Sequence, residues 1–386
     1  MKMLYGRAWT TFVAARPPKS QTTEARPPGV WIVTTIDAQN AALHLEGVSL
    51  KDGWTVGAPN TFNLDQTGGF FSVTYAVTRT DGRQGFLKVL NLAQALESED
   101  LVDTLSQITA EFAAERDLCE MCGTKRLSRV VTAISHGEVR VPDFLIGKVP
   151  YIIFELATHD VRVALSQAEQ IDVVIKLEYA HSLATGVRQL HQIGVAHQDI
   201  KPSNILVFPK LAKRAVGKVA DLGRAYRQDA ESPHDNVLIP GDRSYAPPEQ
   251  QYRHQFEDPA TRRFGADLYQ LGSLITFIFT ARTMNTFLTI NLARHHRWAF
   301  YGDTYESVIP YLDEAYEAAL QQIEAELPQS VRSQLIKTIQ YLCEPDAALR
   351  GHPVARRQPH GSPFALERFV SELDLLARRA AQEAQR

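Results

Sequence analysis

The sequence predicts an α+β protein of two lobes, β-rich in the first and mainly helical in the second. Three observations predict it. The chain has 386 residues, 44% of them apolar, enough to bury a large core and to divide it. Residues 53 to 157 are dominated by strand-like runs, and beyond residue 160 the apolar spacing changes to the three-to-four period of helices. Acidic and basic side chains nearly cancel at a net charge of -3, which gives no reason to expect nucleic acid or a membrane surface as a partner. No apolar run reaches the roughly 18 to 20 residues that span a bilayer, and MKMLYGRAWTTFVAARPP lacks the features of a secretory leader. The odd count of 3 cysteines fits a reducing compartment, so a cytoplasmic protein is expected.

The elements follow in order. Residues 1 to 52 carry ARPP twice and then the strand-like runs VWIVTTI and AALHLEGVSL, which predict an arm with a small β extension. FFSVTYAV, a turn at Thr80, Asp81 and Gly82, and GFLKVLN read as a hairpin. Residues 100 to 122 place Leu101, Leu105, Ile108, Phe112, Ala113 and Leu118 at helical spacing, and VRVPDFLIGKVPYIIFEL then reads as further strands up to a junction near Glu155. The helical lobe, residues 158 to 355, opens with an amphipathic helix lined by Leu177, Ala180, Leu183, Val187 and Leu190, which Gly194 is placed to end in a left-handed cap. ADLYQLGSLITFIFTA, apolar nearly all round, predicts a helix buried inside that lobe. The tail, residues 356 to 386, predicts a closing helix that packs on or extends the lobe, with Ser362 as N-cap, Pro363 in the first turn, and Leu366, Phe369, Leu373 and Leu376 inward.

The chemistry lies in VAHQDIKPSNILV, residues 195 to 207, a loop between a long helix and a strand. Asp199, Lys201 and Asn204 there suit phosphoryl transfer: a carboxylate for the nucleophile's proton, a cation for the phosphoryl group, and an amide oxygen for a metal. The loop resembles H-R-D-L-K-P-x-N of the eukaryotic-type Ser/Thr protein kinases, with Gln198 in the arginine's place. VADLGRA resembles that family's D-F-G, with Asp221 as the aspartate, and Pro247, Pro248 and Glu249 stand for A-P-E. Asp267 matches the aspartate that ties the catalytic loop in place, and LCEPDAALRGHP implies that Arg350 pairs with Glu249. GFLKVL puts Lys88 at the phosphate-binding lysine, with Glu115 as the implied helix partner and Glu111 as the alternative one turn away. YIIFELATHD resembles the hinge: Phe154 as gatekeeper, Glu155 and Ala157 offering backbone groups to adenine, Asp160 near the ribose. QTGGFFSV stands for the glycine-rich loop, with Gly68 on a glycine place, Gly69 beside it and Val73 on the valine place.

The resemblance covers roughly residues 53 to 355 and implies a bilobal protein-kinase-like fold. It implies transfer of the γ-phosphoryl group of ATP to a Ser or Thr hydroxyl of a protein substrate. Asp199 would take or orient the hydroxyl proton, Lys201 would steady the γ-phosphate, Asn204 and Asp221 would hold Mg²⁺ or Mn²⁺, and Lys88 with Glu115 would position the triphosphate. The departures are informative. Gln66 and Phe71 replace loop glycines, and Phe86 replaces the alanine that roofs adenine, which supports the alternative of a pseudokinase acting as a binding module. Gln198 cannot make a charge-assisted pair with phosphate, so independence from activation-segment phosphorylation is expected, although Tyr226, Ser232 and Ser244 lie in that segment. Asp242 stands where the family places a threonine beside the catalytic aspartate. Lys201 and the A-P-E-like segment disfavour a third reading, a small-molecule phosphotransferase. Cys119 and Cys122 are expected to pack, His295 and His296 to form a solvated basic face, and His197 to serve packing and backbone bonding.

Overall fold

Alternating apolar positions build the first lobe around a five-stranded antiparallel sheet of order β1-β2-β3-β5-β4. Its strands are β1 (Trp54–Pro59), β2 (Ser72–Arg79), β3 (Gln84–Leu90), β4 (Ala133–Arg140) and β5 (Lys148–Glu155). The computed structural model describes residues 40–60, 71–167, 171–209 and 216–385. VWIVTTI, both ARPP segments, Gln66, Gly68 and Gly69 therefore lie outside the described residues.

The period of two along β3 sorts its side chains between two cores. Leu87 and Val89 join Trp54, Val56, Tyr75, Val77, Tyr151 and Ile153 on the outer face, while Leu90 joins the larger core shared with the helices. Residues 40 to 50 lie over that outer face. AALHLEGVSL is not a strand here: it makes a 3₁₀ turn at Ala41–Leu43, capped by the Asn40 side chain, and a single bridge from Ser49 to Thr55. Its apolar residues are used as a cover, with Ala41, Ala42 and Leu45 buried, each side chain such as Leu45 contributing about 1.5–3 kcal/mol. Tyr75 Oη donates to the Ala42 carbonyl at 2.8 Å, and burial pushes its phenol up to about 12.

Helix α1 (Leu101–Thr124) crosses the other face, with Asp100 as N-cap and a buried stripe of Ile108, Phe112, Glu115, Leu118, Cys119 and Cys122. Leu101 stays exposed at the solvent end of the stripe. Both cysteines are free and buried, as packing requires.

The second lobe contains α2 (Val161–Gln167), α3 (Val173–His191), α4 (Pro248–Gln251), α5 (Gly265–Thr280), α6 (Met284–Asn291), α7 (Tyr305–Glu326), α8 (Arg332–Cys343), α9 (Pro353–Arg356) and α10 (Glu367–Glu383). Short strands β6 (His159–Asp160), β8 (Ile205–Phe208) and β9 (Val216–Val219) form one small sheet, and β7 (Val195–Ala196) with β10 (Tyr226–Arg227) another. Gly194, at φ +73°, lets the chain leave α3 and enter β7. Nearly all of α5 is buried. The closing helix begins at Glu367, five residues after the predicted cap, because the Ser362 hydroxyl accepts from the Phe364 N–H in a local turn instead. Phe369, Leu373 and Leu376 of α10 are buried, and the helix packs on α3. Among the described residues, no helix is long and apolar enough to cross a membrane.

One buried ion pair locks the lower lobe. Arg350, fully buried, meets Glu249 in a two-pronged contact of 2.8 and 2.9 Å. Its remaining N–H groups donate to the carbonyls of Glu344, Gly265 and Pro345. The pair is satisfied only as a whole. Arg350→Met alone should destabilise the protein by about 3–5 kcal/mol in urea denaturation, and adding Glu249→Leu should restore part of that loss. A single variant as stable as the parent would contradict this account.

Candidate functional site

The catalytic loop is shaped by one helix beneath it. The Asp267 carboxylate of α5 accepts the backbone N–H groups of His197 at 2.7 Å and Gln198 at 2.8 Å. One turn on, Gln270 accepts the Ile200 N–H at 2.9 Å and donates to the Gln198 carbonyl at 3.0 Å. Gln198 is thereby held at φ +66°, a left-handed backbone that a non-glycine residue adopts only when its surroundings impose it. The sequence reading found Asp267 and missed Gln270. Its signal was a lone amide three residues after an acid in an otherwise apolar helix, which puts both on one face.

His197 is fully buried and bonds as its neighbours dictate: the Ala220 carbonyl at 2.9 Å can only accept, so Nε2 carries the proton, and Nδ1 accepts the Asp199 N–H at 3.2 Å. That is the packing and backbone role expected of it.

Around Asp199 the predicted residues come together. Its Oδ2 lies 2.8 Å from Lys201 Nζ and accepts Asn204 Nδ2 at 3.1 Å, while Oδ1 accepts the Asp242 backbone N–H at 2.8 Å. Burial pushes the Asp199 carboxyl above its ordinary value, Lys201 opposes the rise, and Asp221 adds to it. The Asp242 carboxylate does not touch Asp199; it accepts the Ser244 N–H at 2.8 Å. Gly241, which sequence reasoning passed over, must be glycine: a Cβ there would stand 2.4 Å from the Gln198 carbonyl oxygen and 2.7 Å from Asp199 Oδ1.

Asn204 also donates to the Asp199 carbonyl at 2.9 Å, so its amide nitrogen is committed and Oδ1 is the atom left for a cation. Its carbonyl accepts the Ala220 N–H at 2.8 Å, which fixes it beside Asp221. Burial alone would raise the Asp221 carboxyl, but the Lys88 and Lys201 cations outweigh it and hold the group below its usual range. Asp221 sits at φ +61° with its side chain 32% exposed. An ionised, partly open carboxylate beside an amide oxygen is a hard oxygen pair, which fits Mg²⁺ or Mn²⁺.

Across the cleft, Lys88 Nζ lies 2.7 Å from Glu115 Oε2 and 4.0 Å from Asp221 Oδ1. Burial works against the ammonium, yet Glu115 and Asp221 raise it overall and keep it charged. Glu115 takes this position because it falls on the buried stripe of α1. Glu111, one turn earlier, faces Arg224 at 3.8 Å and His234 at 3.5 Å instead.

The remaining predicted positions have mixed placements. Val73 lies in β2, paired with Val89. Phe86 is half-buried on the same face of β3 as Lys88, opposite Phe154 of β5. Ala157 is half-buried just beyond β5, and Glu155 ends that strand with its carboxylate held by Lys218 at 2.6 Å. Asp160 follows directly, and its Oδ1 caps α2 by accepting the Val163 N–H at 2.8 Å, which a carboxylate at a helix start favours. His296 departs from a purely solvated face, since it stacks on Tyr311 with ring centroids 3.6 Å apart.

A protein kinase domain model matches residues 67–352. Among curated proteins, the chain is similar to the serine/threonine-protein kinase PknA of Mycobacterium tuberculosis, at 26% identity over 210 residues, 54% of this chain and 43% of that protein. Protein kinase MCK1 of Saccharomyces cerevisiae is 38% identical over 71 residues, 18% of each chain. The serine/threonine-protein kinase/endoribonuclease IRE1b of Arabidopsis thaliana is 27% identical over 180 residues, 46% of this chain and 17% of that protein. The chain thus spans less than half the length of these relatives. Since the matched domain runs through well over half of its residues, the chain belongs to the protein kinase domain family.

Proposed function

We propose that the protein is an ATP-dependent serine/threonine protein kinase. The observation that carries the reading is the assembled pair of Lys88 and Glu115 at 2.7 Å, with Asp221 at 4.0 Å from the same ammonium. A cation suited to phosphate then stands beside a carboxylate suited to a metal, and such preorganisation, which phosphoryl transfer needs, supports the reading. Asn204 and Asp221 would hold the divalent ion, whose charge would offset that of the phosphates. Asp199 would orient the substrate hydroxyl and take its proton, and Lys201, whose Nζ lies 2.8 Å from Asp199 Oδ2, would steady the phosphoryl oxygens. An open groove of about 1260 Å³ adjoins Gly241 and is lined by Arg243, Ser244, Trp298 and Tyr301, room for a peptide beside the base. We place the activity outside control by activation-segment phosphate, since Gln198 is buried and already bonded to Arg263 and Asp267.

A second reading, a pseudokinase that acts as a binding module, is favoured by Phe86, whose ring shares the cleft-facing side of β3 with Lys88.

Asp199→Asn should bind Mg-ATP like the parent and lose transfer by about a hundredfold or more, measured with labelled ATP on itself and on protein substrates. A parent that binds no Mg-ATP would favour the second reading. Because Asp199 must be ionised to act and its carboxyl is raised, the rate should fall as pH drops through that raised value. Lys201→Met removes the charge that lowers it, so the acid limb of the residual kcat profile should move to higher pH; a limb moved to lower pH would refute the assignment. The triple variant Tyr226→Phe, Ser232→Ala, Ser244→Ala should keep most of the parent's activity, and its complete inactivity in a folded protein would overturn phosphate independence.

A further inference from the structure

The activation segment, from Asp221 to Glu249, is tied to α1 and to the catalytic loop by one buried side chain and one buried guanidinium. His234, 3% exposed, has Arg224 Nη1 against its ring at 3.1 and 3.2 Å from the two nitrogens, and Glu111 Oε1 of α1 lies 3.5 Å from Nε2. Behind it, Arg263 donates to the carbonyls of His234 and Asp235 and to Gln198 Oε1. Gln198 in turn donates to the Arg263 carbonyl and to Asp267. A continuous chain of contacts thus runs from α1 through residue 234 to the anchor of the catalytic loop.

We propose that His234 is a positioning residue, a built-in latch that holds the activation segment against α1, a task that a phosphorylated hydroxyl can perform in other proteins. The proposal rests on the kinase reading and supplies the means by which that kinase dispenses with phosphate. None of the three hydroxyl side chains in question does this work. Ser232 Oγ donates to the Ala225 carbonyl at 2.9 Å, Tyr226 packs on Phe264, and Ser244 is exposed. Burial first, then Arg224, push the imidazole below its usual value, which suits a ring that accepts from Arg224 Nη1. Its reach to Glu111 also explains why two acids one turn apart on α1 are both directed inward: one holds Lys88 and the other holds the segment.

The test uses the full chain. His234→Ala should lower kcat by about tenfold with little change in the KM for ATP, and should speed backbone hydrogen exchange over residues 229 to 240. His234→Gln, whose amide can accept from Arg224 and donate toward Glu111, should recover most of the lost rate. Glu111→Gln should weaken the same step, and its effect should be less than additive with His234→Ala. Equal impairment by alanine and glutamine, or full additivity with Glu111→Gln, would overturn the latch. If the parent transfers no phosphate, the kinase reading fails and hydrogen exchange still decides: faster exchange in His234→Ala supports the latch, and unchanged exchange overturns it. Should His234→Ala not fold, the same comparisons are made on His234→Gln and Glu111→Gln, where unchanged rate and exchange in Glu111→Gln count against the proposal.

Discussion

The site depends on a carboxylate that takes no part in the chemistry. Asp267 is completely buried in α5, and its two oxygens accept from His197, Gln198 and His191. A buried charge left unpaired is costly, and the catalytic loop supplies the missing donors only in one conformation. The loop's strained turn at Gln198 is therefore stabilised by the helix that needs it. Gln270, on the same face, removes the remaining freedom by binding Ile200 and the Gln198 carbonyl. With both clamps closed, Asp199, Lys201 and Asn204 are presented by a rigid scaffold although they lie on a loop.

The exchange of arginine for Gln198 follows the same logic of charge. Arg263 enters the site from a π-helical turn, Ala260–Phe264, immediately before α5, and its guanidinium lies 3.2 Å from Gln198 Oε1. A second guanidinium at position 198 would face the first across a buried space, a like-charge contact that the Asp267 carboxylate, already shared by His191, His197 and Gln198, would have to offset alone. An amide instead offers an acceptor to Arg263 and a donor to Asp267. Gln198 and Arg263 are thus best understood as a pair, with the cation moved from the loop to the helix entry, where it grips the activation segment by its backbone.

Much of this was legible in the sequence where a residue's role is fixed by its local spacing. Asp199, Lys201 and Asn204 share one short turn; Glu115 falls on a helical stripe; Glu249 and Arg350 announce each other by motif. Residues whose partners are distant in sequence were not legible. Nothing in the order of residues says that Arg263 meets Gln198 or that His234 meets Glu111, because those contacts are made by tertiary packing of elements 65 and 123 positions apart. The same cause accounts for the differences. AALHLEGVSL had strand composition, but it meets the β1 edge in a single bridge at Ser49, and its apolar residues cover a face instead.

Helix α1 is where these constraints meet. Glu115 binds the lysine of the sheet, Glu111 approaches the activation segment, and Phe112, Leu118 and Cys119 pack into the core shared by both lobes. The two acids are four residues apart, so they lie on one face of a rigid rod. A rotation or shift of α1 that opened the Lys88 contact would also disturb the contact with His234, while the apolar stripe between them resists small intermediate displacements because a packed core does not deform continuously. Lys88, Asp221 and the activation segment are therefore held through contacts that meet on one helix, and a side chain that positions the segment bears on the same rod that positions the lysine.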